Sequence, residues 1–253
     1  MRGFALACFF ALIAGTPTAM LAQTNTAAPA AHKPASAKSA GTTQTRTTTK
    51  MTTDPALLKP ASLTAKAPET YEVKLATTKG DIVIQVTRAW APLGADRFYN
   101  LVRHGFYNDA AFFRIVPGFV VQFGLSGDPA VNRAWKNANF KDDPVKESNR
   151  PGTLTFATAG PNTRTTQLFI NLGNNAPLDG QGFAPFGQVT SGMDVVQKLY
   201  SGYGERPDQG AITNEGKAYI DKNFPNIDKI VTATIASPAA AHTGASATST
   251  PKQ

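Results

Sequence analysis

Cysteine, histidine and long apolar runs are scarce in this chain of 253 residues, and each scarcity excludes a class of protein. Cys8 is the only cysteine and lies in a segment that we predict to be removed, which excludes disulfides, thiol nucleophiles and cysteine zinc sites from the mature chain. His104 is the one histidine of the region predicted to fold, and its place after a helical pattern suits a helix cap better than catalysis. With no paired carboxylates, Ser-His-Asp arrangement or metal-ligand cluster recognisable, we predict no metal and no cofactor.

The longest apolar run, residues 3–15, is too short to span a membrane stably. It follows Arg2 and precedes small residues that include Ala19 and Ala22, an order typical of an export signal. We therefore predict a signal peptide over residues 1–22, a periplasmic location and no stable membrane span after signal removal. An uncleaved anchor is the alternative.

The formal net charge of +8 is unevenly distributed. Residues 23–69 contain six Lys or Arg against two Asp or Glu, whereas residues 70–235 contain seventeen against fifteen. The part predicted to fold is therefore almost neutral, which argues against a nucleic-acid-binding domain.

Residues 23–69 are rich in Ala, Thr, Pro and Lys and contain no aromatic residue. Such a segment buries too little apolar surface to offset the entropy lost on ordering, so we predict a disordered linker there and a second disordered tail over residues 236–253. The linker is interpreted as a spacer. The alternative is weak adhesion of its basic residues to an anionic envelope surface.

Residues 70–235 carry the pattern of a mainly β domain. Tyr71, Val73 and Leu75 alternate with polar or small residues, and a turn at residues 78–81 leads into a second apolar run, which predicts a β-hairpin. Pro92 begins a helical pattern that stops near Gly105, and residues 193–200 form a second short helical pattern. Further short strands are predicted at 111–115, 120–124, 152–157, 167–171, 186–189 and 227–235, and an inserted helix at 214–224. Many short strands with Gly/Pro turns favour a closed antiparallel barrel, whose lack of free strand edges suits a monomer.

Arg114 and Gln122 are polar residues in an otherwise apolar stretch, eight positions apart across a turn at Pro117. Two strands joined by such a turn could bring both side chains to one face. A fixed guanidinium is suited to rotation about an X–Pro bond, because the prolyl nitrogen regains a lone pair when the imide twists. Taken alone, Arg114 would be interpreted as a surface ion-pair partner.

An apolar wall for a proline ring is available from Phe119 and Phe169, with Val120 and Leu178 completing the pocket. Gln167 precedes Phe169 by two residues, so strand alternation would place both side chains on one face. Taken alone, each phenylalanine would be interpreted as a core residue.

These segments resemble the signature blocks of the cyclophilin-type peptidyl-prolyl cis-trans isomerases. The block F-x-R-I-x-P-G-F-x-x-Q is complete over residues 112–122, and a second block runs without a gap over residues 152–170. Leu-Asp-Gly at 178–180 and Phe-Gly-Gln-Val at 186–189 match a third segment. The resemblance covers residues 71–200, more loosely to 235, and implies a closed eight-stranded antiparallel barrel capped by two helices.

The resemblance also implies site residues. The family's catalytic arginine falls on Arg114, with Gln122 as its amide partner. The substrate-binding positions fall on Phe119, Val120, Ala157, Thr158, Ala159, Gln167, Phe169, Leu178 and Phe183. Val120 replaces the usual methionine, Thr158 the usual asparagine and Phe183, approximately, the usual histidine. Pro177 stands where many members have tryptophan, which predicts weak cyclosporin binding.

We therefore predict an isomerase that accelerates rotation about X–Pro bonds and assists folding of exported proteins. Its expected partners are proline-containing unfolded or loop segments of those proteins, with no nucleic acid, and it is expected to be a monomer. Two alternatives remain open at this point: a non-catalytic module of the cell envelope that binds proline loops, and an envelope-adhesion protein acting through the basic linker.

Overall fold

A computed structural model describes residues 53–236. The predicted signal peptide, the predicted linker up to residue 52 and the predicted tail from residue 237 lie outside the described residues. The strands are β1 (Thr70–Thr77), β2 (Gly80–Thr87), β3 (Arg114–Val116), β4 (Val120–Phe123), β5 (Thr153–Phe156), β6 (Leu168–Asn171), β7 (Pro185–Ser191) and β8 (Ile230–Ala236). The α-helices are α1 (Pro92–Arg103), α2 (Pro129–Trp135), α3 (Met193–Gln197), α4 (Gln209–Glu215) and α5 (Lys217–Asn223).

All eight strands belong to one antiparallel sheet in the order β3-β4-β6-β5-β7-β2-β1-β8. The predicted mainly β, eight-stranded architecture is confirmed, but full closure is not. The terminal strands β3 and β8 share no ladder, and a single bridge between Ala111 and Lys229 joins the segments that precede them. The strand predicted over 111–115 accordingly begins only at Arg114. The sheet is therefore curled into an incompletely closed barrel, in which a single β-bridge connects the two edges.

The predicted hairpin is present, with a tighter turn than predicted, since Gly80 and Asp81 already pair with β1. Val73 faces Ile84 across β1 and β2, and Leu75 faces Ile82. All four side chains are fully buried, because alternation along each strand turns every second residue into the barrel. The interior is completed by aromatic side chains, among them Phe98 of α1 in an edge-to-face contact with Phe186 of β7.

The two predicted helices correspond to α1 and α3, which pack against β7 and β8 and against β2 respectively. Three further helices are present in the described region. The helix predicted over 214–224 corresponds to α5, whereas α4 before it was not predicted. Gly216 separates the two helices: it has a positive φ and lies so close to the Gly127 carbonyl that a Cβ would clash. None of the helices in residues 53–236 is long and apolar enough to cross a membrane.

The last part of the predicted linker, residues 53–69, folds onto the barrel, and we call it the N-terminal strap. The ordered part of the chain therefore begins before the predicted domain start at residue 70. Two short 3-10 helices form at Pro55–Leu58 and Pro60–Ser62, and Leu57 enters the core. Trp135 Nε1 donates to the Leu57 carbonyl at 2.7 Å, and the Asn100 amide accepts from the Ala65 N–H and donates to the Ala65 carbonyl. The composition of residues 53–69 did not predict this packing, because the residues that bind the strap, Asn100 and Trp135, lie on helices far along the chain.

Candidate active site

The predicted site residues that belong to strands lie on the outer face of the sheet, where β3, β4 and β6 are neighbours. Val121, Phe123, Leu168 and Ile170 point into the core. Strand alternation therefore turns the side chains in between outward, on the face that carries Arg114, Val120, Gln122 and Phe169.

Arg114 and Gln122 are direct cross-strand partners, the juxtaposition that their spacing predicted. The Arg114 Nη1 donates to Gln122 Oε1 at 3.4 Å, which is a long contact. The Arg114 guanidinium carbon lies 5.8 Å from the centroid of the Phe119 ring. The Arg114 side chain is 24% exposed, so its charge is neither sealed in the barrel nor fully solvated.

A chain of side-chain amides continues from the arginine. Gln122 Nε2 donates to Gln167 Oε1 at 2.8 Å, and Gln122 pairs with Phe169 across β4 and β6. The outward faces of three strands are therefore connected from Arg114 to Gln167 and Phe169. Amides in this position can both donate to and accept from a peptide backbone.

Apolar side chains flank this polar row. The Phe169 and Phe183 rings meet edge to face with centroids 5.7 Å apart, and Val120, although it faces outward, is covered by neighbouring groups and buried. Leu178 lies in the 3-10 helix Ala176–Gln181, and its carbonyl accepts from the Phe183 N–H at 3.3 Å. Phe119, in the β3–β4 turn, is half-buried. An apolar wall thus stands beside the guanidinium.

A buried asparagine network beneath the wall was missed by sequence reasoning. Asn175 Nδ2 donates to the Phe119 carbonyl at 2.9 Å and to Asn171 Oδ1 at 2.7 Å. Asn171 Nδ2 reaches Asn149 Oδ1 at 3.2 Å, and Asn149 Nδ2 donates to the Phe183 carbonyl at 2.8 Å. Satisfied buried networks are rigid, so these three amides hold the positions of Phe119 and Phe183. In the sequence, Asn149 and Asn175 look like ordinary turn residues, and Asn171 is only the last residue of a predicted strand.

Asp179 extends this network to the segment that carries Leu178. Its carboxylate accepts from Ser148 Oγ at 2.6 Å, from the Asn149 N–H at 2.9 Å and from Asn149 Nδ2 at 2.7 Å. Burial alone would raise the pKa of Asp179, but the hydrogen bonds outweigh it and the pKa lies below its usual value. The ionised form therefore holds the loop in place at neutral pH.

The predicted backbone-binding segment, Ala157 to Ala159, follows β5 at the end of the amide row. The Ala157 N–H donates to the Gln167 carbonyl at 2.9 Å. The Thr158 hydroxyl contacts the Gly160 carbonyl and the Thr163 hydroxyl, and the Ala159 N–H donates to Thr163 Oγ1. The polar group of Thr158 is thus used inside its own loop, so its side chain does not point into the cleft.

Arg164 anchors this loop to helix α1. Its side chain is 3% exposed, with Nη2 3.1 Å from Asp143 Oδ2 and the guanidinium 4.3 Å from the centroid of the Phe140 ring. Asp143 in turn accepts from the N–H groups of Leu93 and Gly94 in the first turn of α1. Arg164 is a structural cation and does not belong to the site.

Glu205 is the second group that sequence reasoning missed. Its Oε1 accepts from Arg114 Nε at 2.5 Å, although the two residues are 91 positions apart. No local pattern marks this contact, because the glutamate lies in a loop between α3 and α4.

The arrangement defines a class of protein: a curled antiparallel sheet whose outer face presents a cation beside an apolar wall and a row of amides. Such a site can hold a small apolar ring and the peptide backbone around it. Within residues 53–236 no group of three or more His, Cys, Asp or Glu side chains could hold a metal ion.

Comparison with known proteins gives this class its name. The family model for cyclophilin type peptidyl-prolyl cis-trans isomerases matches residues 72–217, so the chain belongs to that family. It is 34% identical over 136 residues to peptidyl-prolyl cis-trans isomerase-like 1 of Gibberella zeae, covering 51% of this chain and 82% of that protein. It is 37% identical over 158 residues to peptidyl-prolyl cis-trans isomerase A of Dickeya dadantii, covering 57% and 81%.

The fold is also that of a solved structure. The cyclophilin type isomerase of Cryptosporidium parvum superposes with a TM-score of 0.51 at 21% identity, over 67% of this chain and 99% of that one. The predicted family, activity class and β architecture are thereby confirmed. The roles of individual residues rest on the geometry.

Proposed function

We propose that this peptidyl-prolyl isomerase uses Arg114 to stabilise a twisted X–Pro imide held against the Phe119–Phe169–Phe183 wall. Rotation about the bond has a barrier of about 18–20 kcal/mol, because resonance gives it partial double-bond character. As the imide twists, the prolyl nitrogen becomes an acceptor. A guanidinium N–H directed at it stabilises the transition state more than the planar ground state.

The observation that carries this proposal is the restraint of the Arg114 guanidinium at the edge of the apolar wall. Nε is bound by Glu205 and Nη1 contacts Gln122, which leaves Nη2 without an acceptor among the described residues. A donor fixed before the substrate arrives needs little reorganisation during the reaction. An acceleration of about 10⁵ corresponds to roughly 7 kcal/mol, which the cation, the amides and the wall would share.

The remaining site residues take supporting roles in this proposal. Gln122 and Gln167 bind the substrate backbone through their side-chain amides. Residues 157–159 bind it through their main-chain groups. Val120 and Leu178 complete the wall. Val120 is smaller than the methionine usual in the family, so the floor of the pocket is wider.

The test is a protease-coupled isomerisation assay on a short X–Pro peptide with the full chain. The expected result is a catalytic rate proportional to enzyme concentration and resistant to chelators. A protein that binds the peptide without accelerating its isomerisation would instead be a proline-loop-binding module, and the proposal would be wrong.

We further propose that the protein works as a monomer on proline-containing segments of exported proteins, in the periplasm. The support is in the sequence: Arg2 before an apolar run at residues 3–15, followed by small residues, and a single cysteine inside that run. Expression of the full chain in a bacterium, followed by cell fractionation and N-terminal sequencing, tests it. A cytoplasmic protein with an intact N-terminus contradicts export.

A further inference from the structure

The loop at residues 200–206 reaches back from α3 to the strand that carries Arg114. Glu205 Oε1 accepts from Arg114 Nε, while Arg114 Nη1 faces Gln122. We propose that Glu205 is a positioning residue: it fixes the rotation of the Arg114 guanidinium so that Nη2 faces the bound imide. This inference rests on the catalytic role proposed for Arg114.

Gln122 alone cannot provide this restraint. Its contact with Nη1 is 3.4 Å, at the long end of the range for hydrogen bonds, whereas the contact of Glu205 with Nε joins two opposite charges and is therefore the stronger restraint. An unrestrained arginine populates many rotamers, and a donor that moves is a poor complement to a transition state. The Glu205 side chain is 64% exposed, so the pair adds little to folding and its value lies in orientation.

The loop that carries Glu205 is itself held in place. Tyr203 packs edge to face on Tyr200 at 4.9 Å and on Phe224 at 5.0 Å. The Ile115 N–H of β3 donates to the Gly204 carbonyl at 3.3 Å, which ties the loop to the strand of the arginine. Gly204 has a φ of +55°, a conformation that glycine adopts without steric cost.

The neighbouring cation does not compete for the glutamate. Arg206 Nη2 donates to the Gly202 carbonyl at 2.9 Å, and its guanidinium lies 5.1 Å from the Tyr203 ring. The Arg206 guanidinium thus binds within its own loop, and Glu205 forms its ion pair with Arg114.

The inserted helices α4 and α5 provide the support behind this loop. Ile212, Ile220 and Phe224 form a second apolar cluster, against which Tyr203 packs. The same cluster contains Phe113, the residue before Arg114. One apolar unit therefore supports both partners of the ion pair, which gives the insertion a function in the active site.

The experiment compares Glu205→Ala and Glu205→Gln with the wild type, by kcat and KM for an X–Pro peptide, after circular dichroism has shown a native fold. Glu215→Gln is the matched control, because Glu215 is an exposed glutamate at the end of α4. We expect Glu205→Ala to lower kcat by about tenfold with KM nearly unchanged, since orientation acts in the transition state. Glu205→Gln keeps an acceptor oxygen and is expected to lose only about threefold.

The second part of the experiment repeats Glu205→Ala in an Arg114→Ala background. If Glu205 acts through Arg114, it causes no further loss of kcat there. An unchanged or raised kcat in Glu205→Ala, or an equal loss in both backgrounds, overturns the positioning role. Wild-type turnover of Arg114→Ala by itself would instead overturn the proposed function, so the two failures are distinguishable.

Discussion

Replacement of Arg114 by alanine removes the cation from the cleft and leaves the sheet beneath it intact. Loss of one preorganised donor of this kind lowers kcat by about 10²–10³, or roughly 2.7–4 kcal/mol of transition-state stabilisation. The effect on folding is far smaller. The Arg114 and Glu205 side chains are 24% and 64% exposed, so solvent screens their ion pair to about 0–1 kcal/mol. The backbone pairing of β3 with β4 does not depend on the side chain.

The assay has two parts. Isomerisation of an X–Pro peptide, followed by coupled proteolysis over a range of peptide concentrations, measures kcat and KM separately, and thermal unfolding measures stability. A loss of 1 kcal/mol lowers the Tm of a domain of this size by about 2–4 °C, so a larger fall indicates structural damage. Arg133→Ala, at an exposed arginine of α2, is the control and should retain wild-type activity.

Three outcomes would count against the reasoning. Wild-type turnover in Arg114→Ala would exclude the cation from the mechanism. A raised KM with an unchanged kcat would mean that Arg114 binds substrate and transition state equally. A fall in activity matched by unfolding would mean that the role of Arg114 is structural.

Three further predictions concern the wall, the loop beneath it and the strap. Phe169→Leu removes the edge-to-face contact with Phe183 and should raise the KM for an X–Pro peptide about threefold to tenfold. An unchanged KM would exclude Phe169 from the pocket. Asp179→Asn should lower the Tm more at pH 7 than at pH 3. Because the folded-state pKa of Asp179 is lowered, its contribution to stability is fully present above its ordinary value of 3.8 and declines as the pH falls from there through the folded-state pKa. An equal Tm difference at both pH values would contradict this. Trp135→Phe removes the hydrogen bond to the Leu57 carbonyl, worth about 0.5–1.5 kcal/mol, and should speed proteolysis within residues 53–69 as mapped by mass spectrometry; unchanged cleavage would show that packing alone holds the strap.

Local pattern predicted much of the fold because much of it is local. The alternation of Tyr71, Val73 and Leu75 specifies which face of β1 is buried, and Pro92 marks the start of α1. Helix α2 was missed although its start is marked in the sequence, by Asp128 as N-cap and Pro129 in the first turn. The sequence marks the break at Gly216 only by the glycine itself. The close approach of the Gly127 carbonyl, which leaves no room for a larger residue at this position, is visible only in the structure.

The strap shows a different limit. Its composition is that of a disordered segment, yet Leu57 and Ala67 are buried. Its hydrogen-bonding partners Asn100 and Trp135 belong to α1 and α2, far along the chain. The composition of a segment reports only the apolar surface of that segment. The strap is ordered because other parts of the domain provide apolar surface and hydrogen-bonding groups for it.

The chain by itself determined the residue types of the candidate site and the short-range relations among them. A turn and a period of two suffice to set Arg114 opposite Gln122, and Gln167 on the same face as Phe169. Only the tertiary structure decided what restrains them. Glu205 reaches Arg114 across 91 residues, and the network under Phe119 joins Asn171 and Asn175 to Asn149, which lies 22 positions before Asn171. Such contacts depend on how the sheet curls and where the insertion packs, and those are properties of the whole folded domain that no window of sequence contains.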